Sequence, residues 1–217
     1  MTMQVGPTAV PERLWMSMIA RAVPALIIAA VITFSQDHSA SFGFITFGAF
    51  ALASGVLIGF EAVGFKDHPA RALTFVRAVV SALAGGFALF MGTAEIEHAT
   101  AAAFIATVAT WALVTGALEL ISARVGRATK FFSREVLITG AITVLLGLLV
   151  AIIPPDLRVD YGGLEQVEGT LTASVQTVGY VGAYLAVLGV LLVIEGITLR
   201  GMLADAPAVK PELTKKA

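Results

Sequence analysis

Arginine and glutamate side chains set inside apolar stretches are the first residues in this sequence that could carry chemistry. Arg21, Glu61, Arg77, Glu119 and Glu195 stand within, or at the edge of, runs long enough to cross a bilayer, where a charge at mid-membrane costs ~2.5–3.5 kcal/mol even on insertion scales. At ~1.5 Å per helical residue, all five fall within ~10 Å of the same membrane edge. Two arginines and three glutamates at one level can neutralise one another as an ion-pair belt with snorkelling arginines. The same layer admits a proton or ion path, although that argument needs carboxylates nearer the midplane. It also admits an anionic-lipid headgroup site lined by Arg21, Arg77 and a basic joint.

A second group lies between the apolar runs: Asp37 and His38, then Glu95, Glu97 and His98. Histidine titrates between about pH 5 and 8, so imidazoles among carboxylates could sense acid if the two loops are neighbours; the plain alternative is solvated loop charge. Glu95-x-x-His98 is half of a dinuclear metal pattern, and bundle sites need two such motifs with further Glu ligands, so no metal is expected. His68, beside Asp67 and before Pro69, reads as a turn residue. No Gly-x-Ser-x-Gly, His-Glu-x-x-His or Walker loop occurs, and Ser54 has no histidine at matching depth to activate it, so neither enzyme activity nor a cofactor is expected.

The elements that must position these residues follow from composition. Of 217 residues 58% are hydrophobic and 13% charged, with 21 glycines, and the mean hydropathy is +0.90. A chain so poor in polar groups cannot coat a water-facing globule. A net charge of -1 gives no electrostatic reason to seek nucleic acid, and the absence of cysteine removes disulfides and thiol catalysis. The expected fold is all-α, a polytopic membrane protein with six spans near 14–34, 40–62, 70–91, 99–123, 133–153 and 175–200, forming one domain over 1–203. A disordered tail is expected over 204–217. Arg21 and Pro24 in the first span, and its length, argue for an uncleaved helix rather than a signal peptide.

Orientation follows from charge. Of fourteen Lys and Arg, all but Arg158 fall at the N-terminus, in the joints after the second and fourth spans, in the tail, or at helix ends facing those segments. The positive-inside rule then puts both termini in the cytoplasm. The remaining long loop, 154–174, is acidic; Pro154-Pro155 stops the fifth helix, and Leu164 to Leu171 reads as a short surface helix.

The spans repeat. The odd ones align on Arg21, Arg77 and Gly140, and the even ones as Phe50 to Gly55, Trp111 to Gly116 and Leu191 to Gly196. This predicts three copies of one helical hairpin, related by an axis along the membrane normal. Small residues at Ala51, Gly55 and Gly59, and at Ala78, Ala82 and Gly86, allow close helix approach. Gly140 and Gly147, and Gly182, Gly189 and Gly196, are seven apart, which predicts that the fifth and sixth helices pack on each other along these glycines.

Arg followed by a small residue, an apolar helix ending near Phe or Pro, then aromatic-x-Leu-x-Ser/Thr-Gly closing in Glu or a basic joint, resembles the short-repeat membrane family that contains the HdeD acid-resistance protein. The stretches that carry it are Arg77 to Phe90, Trp111 to Ala123 and Gly140 to Pro154. Ala after Arg21 and Arg77, and the long loop after the fifth span, depart from that pattern. The resemblance implies six helices in a bacterial inner membrane and an association with acid stress. The expected function is a small non-enzymatic inner-membrane protein for membrane or acid stress tolerance, or a subunit of a membrane assembly; the alternative is a transporter or channel for protons or a small solute. The expected partners are the lipid bilayer, anionic lipids included, and a second copy or another membrane protein.

Overall fold

The computed structural model describes residues 14–65, 68–127, 130–160 and 170–204. Six helices run α1 Leu14–Phe34, α2 Ala40–Gly64, α3 Arg71–Thr93, α4 Ala101–Val125, α5 Lys130–Ala151 and α6 Ala173–Ala204, each with a stretch long and apolar enough to cross a membrane. Local capping sets several starts: Ser39 Oγ accepts from the Phe42 amide and Thr100 Oγ1 from the Ala103 amide, each at 3.2 Å. α5 ends before Pro154-Pro155, as expected. α6 runs past both of its expected limits, and the expected disordered tail lies, but for Ala204, outside the described residues.

Among the described residues the exception to the helical pattern is a short antiparallel pair, β1 Arg158–Asp160 with β2 Thr170–Thr172. Thr170 Oγ1 donates to Asp160 Oδ1 at 2.8 Å. Thr170 and Leu171 are therefore strand residues rather than the end of a surface helix, because pairing with β1 satisfies their backbone. The rest of that expected helix lies outside the described residues.

Consecutive helices run in opposite directions, so the bundle has two ends. One carries the ends of α2 and α4 and the starts of α3 and α5, with Arg71, Arg124, Arg127 and Arg200; the other carries the joints at 35–39 and 94–100 and the strands β1 and β2. Close antiparallel interfaces join α2 to α3, α4 to α5, and α6 to α1, whereas α1–α2, α3–α4 and α5–α6 meet more loosely. The three even helices also touch one another. They form an inner triangle flanked by the odd helices, and α6 closes the ring onto α1.

Glycine makes the close interfaces possible. A methyl group on Gly55 would come within 2.6 Å of the Ala82 nitrogen, and one on Gly116 within 2.8 Å of the Val144 nitrogen. Gly140 and Gly147 approach Leu120 and Leu113 of α4, while Gly182, Gly189 and Gly196 approach Ile32, Leu26 and Ile19 of α1. The expected packing of α5 on α6 along these glycines is thus corrected: seven-residue spacing fixes which face packs, not which neighbour it meets. Gly86 faces open space, and its neighbour Gly85 makes the contact with Leu52 of α2 instead.

These contacts also set the repeat register. Ala82, Val144 and Leu26 occupy equivalent places against Gly55, Gly116 and Gly189. The even-helix repeat is therefore Phe50 to Gly55, Trp111 to Gly116 and Tyr184 to Gly189, one seven-residue step from the expected Leu191 to Gly196. Counted five back from Leu26, Ala82 and Val144, the matching positions are Arg21, Arg77 and Thr139, where Gly140 was expected as the third. Phe50, Trp111 and Tyr184 meet edge to face at the centre of the triangle, with ring centroids 5.9, 6.3 and 6.5 Å apart.

Candidate functional site

The inner triangle places every even-helix glutamate on the same side of the aromatic trio, toward the basic end. Among the described residues two arginines and four glutamates are buried: Arg21, Arg77, Glu61, Glu119, Glu135 and Glu195. Arg21 reaches from α1 to Glu61 of α2, its Nη1 3.4 Å from Oε2. Ser17, one turn earlier on α1, donates to the same oxygen at 2.9 Å. Arg77 of α3 donates through Nη1 to Glu119 Oε1 of α4. The other Glu119 oxygen accepts from Thr143 of α5 at 3.4 Å, and Thr143 lies 3.0 Å from the Tyr184 hydroxyl.

One rule recurs between each odd helix and the even helix after it. The residue four after the arginine position is Ala25, Ser81 or Thr143, and the trio ring on the next helix is Phe50, Trp111 or Tyr184. Trp111 Nε1 donates to Ser81 Oγ at 3.1 Å, and Tyr184 meets Thr143; the ring with no polar atom is matched with alanine. Polar tips are thus supplied with partners where burial would otherwise leave them unsatisfied. Phe44, Phe47 and Phe104 fill the bundle on the opposite side of the trio and are almost wholly buried.

The third position breaks the rule. Thr139 stands where arginine stands twice, and one turn before it Glu135 occupies the place of Ser17. Glu195, six residues after Gly189, likewise stands where Glu61 stands six after Gly55, so Glu135 and Glu195 take the places of the bonded Ser17 and Glu61 and lie within hydrogen-bonding reach. Neither Glu195 oxygen receives a donor from the described residues, although the residue is only 4% exposed. Arg21 and Glu119 act on it through their charges, without a hydrogen bond.

The five expected belt residues thus come together, as two direct pairs with Glu195 beside them. An anionic-lipid site on Arg21 and Arg77 does not fit, because both guanidiniums are buried and committed to glutamates. Glu135 was not among the expected site residues. Its only sequence signal was its place four before Thr139 and eight before Thr143, a single helix face, and the adjacent Arg134, with Lys130 five residues earlier, concealed it as part of a basic joint.

At the other end, His98 Nδ1 lies 3.1 Å from Glu95 Oε2 in an exposed contact. His38 packs instead on Phe42, and Asp37 Oδ1 accepts from the Ser39 amide at 2.8 Å. Glu97 lies exposed in the 3-10 turn Ile96–His98. Each of these contacts lies within its own loop or at the start of the helix that follows, and among the described residues no hydrogen bond or ion pair joins the two loops. At the basic end His68 Nδ1 accepts from the Ala70 amide at 3.2 Å. Burial pushes the His68 imidazole below its ordinary value, with Glu61 opposing.

A family model described as a short repeat of unknown function (DUF308) matches residues 97–152. That stretch covers α4 and α5, one of the three closely packed pairs. No curated protein and no solved structure matches the chain.

Proposed function

We propose that this is a non-enzymatic, multi-pass protein of the bacterial inner membrane, similar in kind to HdeD, which helps the membrane withstand acid stress and keeps both termini in the cytoplasm. The observation that carries this reading is a carboxyl-rich cluster beneath a filled aromatic centre. Four buried glutamates against two arginines supply groups that exchange protons. The Phe50, Trp111 and Tyr184 rings, with Phe44, Phe47 and Phe104 beyond them, separate that cluster from the acidic end. A bundle so built can respond to acid without conducting through its centre. Basic residues gathered at one end support a cytoplasmic placing of that end, and exposed apolar side chains such as Phe60, Leu83 and Ile197 suit lipid contact.

A proton or small-solute transporter is the second reading. The chain of contacts Glu119, Thr143, Tyr184 favours it, since these groups carry polarity to mid-bundle; it requires the aromatic centre to open. The test of the first reading is survival of an acid challenge by cells lacking the gene, with and without a restored copy. Reduced survival, rescued by the wild-type copy, is expected. Equal survival of deleted and restored cells overturns it.

A further inference from the structure

The two repeats that hold arginine each offer every glutamate a cationic partner, and the third offers a second acid. Glu135 of α5 and Glu195 of α6 face each other across a loose seam, both under a tenth exposed, and no described donor reaches either Glu195 oxygen. Ionised carboxylates only accept hydrogen bonds, so two of them within hydrogen-bonding reach can be joined only through a proton or a cation. Hard-metal sites gather more oxygen ligands than two carboxylates provide, and no group of three or more His, Cys, Asp or Glu able to hold a metal ion occurs among the described residues. A proton needs only the two.

We propose that Glu135 and Glu195 form a proton-binding site, in which a single proton bridges the two carboxyls across the α5–α6 seam. Uptake converts one carboxylate to a carboxylic acid that donates to the other, leaving one negative charge on the pair. Arg21 of α1 faces that charge, while Glu119 of α4 adds to the negative potential and is itself paired to Arg77. On α2, Glu61 already engages Arg21. The proton therefore joins the seam where the ring has neither an arginine nor a close glycine interface. Losing it would set two carboxylates against each other and loosen α5 from α6. This site stands on the cluster geometry and does not depend on the acid-tolerance reading.

The test is infrared spectroscopy of the purified full chain in lipid nanodiscs at pH 7.5. The wild type should show a carboxylic-acid carbonyl band that shifts in heavy water. That band should be lost in Glu135→Gln and, separately, in Glu195→Gln, but kept in Glu95→Gln, whose carboxyl lies at the exposed acidic end. A wild-type spectrum without the band overturns the proposal, and this arm needs no variant to fold. A band that survives in both folded glutamine variants also overturns it. So does loss of the wild-type band on adding sodium chloride at constant pH, against choline chloride as control, because a metal cation would then be the ligand.

Discussion

The Arg77 and Glu119 pair gives the most quantitative test of the cluster. Each residue is 5% exposed, and the pair links α3 to α4, which otherwise meet loosely. Removing one partner from a buried pair strands the other charge and costs about 3–5 kcal/mol, while replacing both by apolar groups is often near neutral. Arg77→Met leaves Glu119 with only the long 3.4 Å bond from Thr143; Glu119→Leu leaves the guanidinium with no described hydrogen-bond partner, since its Nε has none already. At about 2–4 °C per kcal/mol for a chain of this size, each single variant should melt roughly 6–20 °C lower in mild detergent. The double variant should melt above either single one, with a coupling of about 2 kcal/mol or more across the cycle. Strict additivity, with the double variant the least stable, would refute the reasoning.

Other expectations follow from particular contacts. Gly116→Leu, pressed against the Val144 backbone, should lower stability by about 1–3 kcal/mol or more in detergent unfolding, whereas Gly86→Leu, which faces open space, should cost little; equal losses would contradict the packing. Trp111→Phe removes the donor to Ser81 and strands a buried hydroxyl, so it should cost about 1–3 kcal/mol, and adding Ser81→Ala should recover part of it. His68 has its folded value depressed, so the unfolded chain binds its proton first as pH falls. Its stabilisation is complete above about pH 6.5 and is lost on further acidification. His68→Asn should accordingly shrink the fall in melting temperature between about pH 7.5 and pH 5; an undiminished fall would contradict this. Because the chain has no cysteine, Ser39→Cys and Thr93→Cys should label with an impermeant thiol reagent in intact cells and Arg127→Cys should not; the reverse pattern would invert the orientation.

The spans could be read from sequence to within a few residues because an apolar run long enough for a bilayer has few competing interpretations. The correspondence of Arg21 and Arg77 could be read as well, since each stands seven residues after the start of its expected span. The third repeat was not. Tyr184 to Gly189 and Leu191 to Gly196 both end in glycine seven residues apart, both glycines approach α1 closely, and the meeting of the Tyr184 ring with Phe50 and Trp111 selects between them. Glycine spacing likewise named the packing face of α5 and α6 but not the partner, because a missing side chain carries no complementary label. Glu135 stayed hidden because its burial depends on α6 folding back across α5, a long-range contact that adjacent basic residues masked. The loop histidines illustrate the converse: equivalent positions after α1 and α3 suggested one cluster, but each loop's recorded partners are local.

On the proposed reading, the filled aromatic centre separates the charge cluster from the acidic end and the bundle does not conduct. That claim is tested most directly by proton flux into vesicles reconstituted with the wild-type protein, loaded with a pH-sensitive dye and driven by an imposed pH gradient. Dissipation no faster than in protein-free vesicles is predicted. Faster dissipation that Glu195→Gln abolishes would contradict the account and make the cluster part of a proton path.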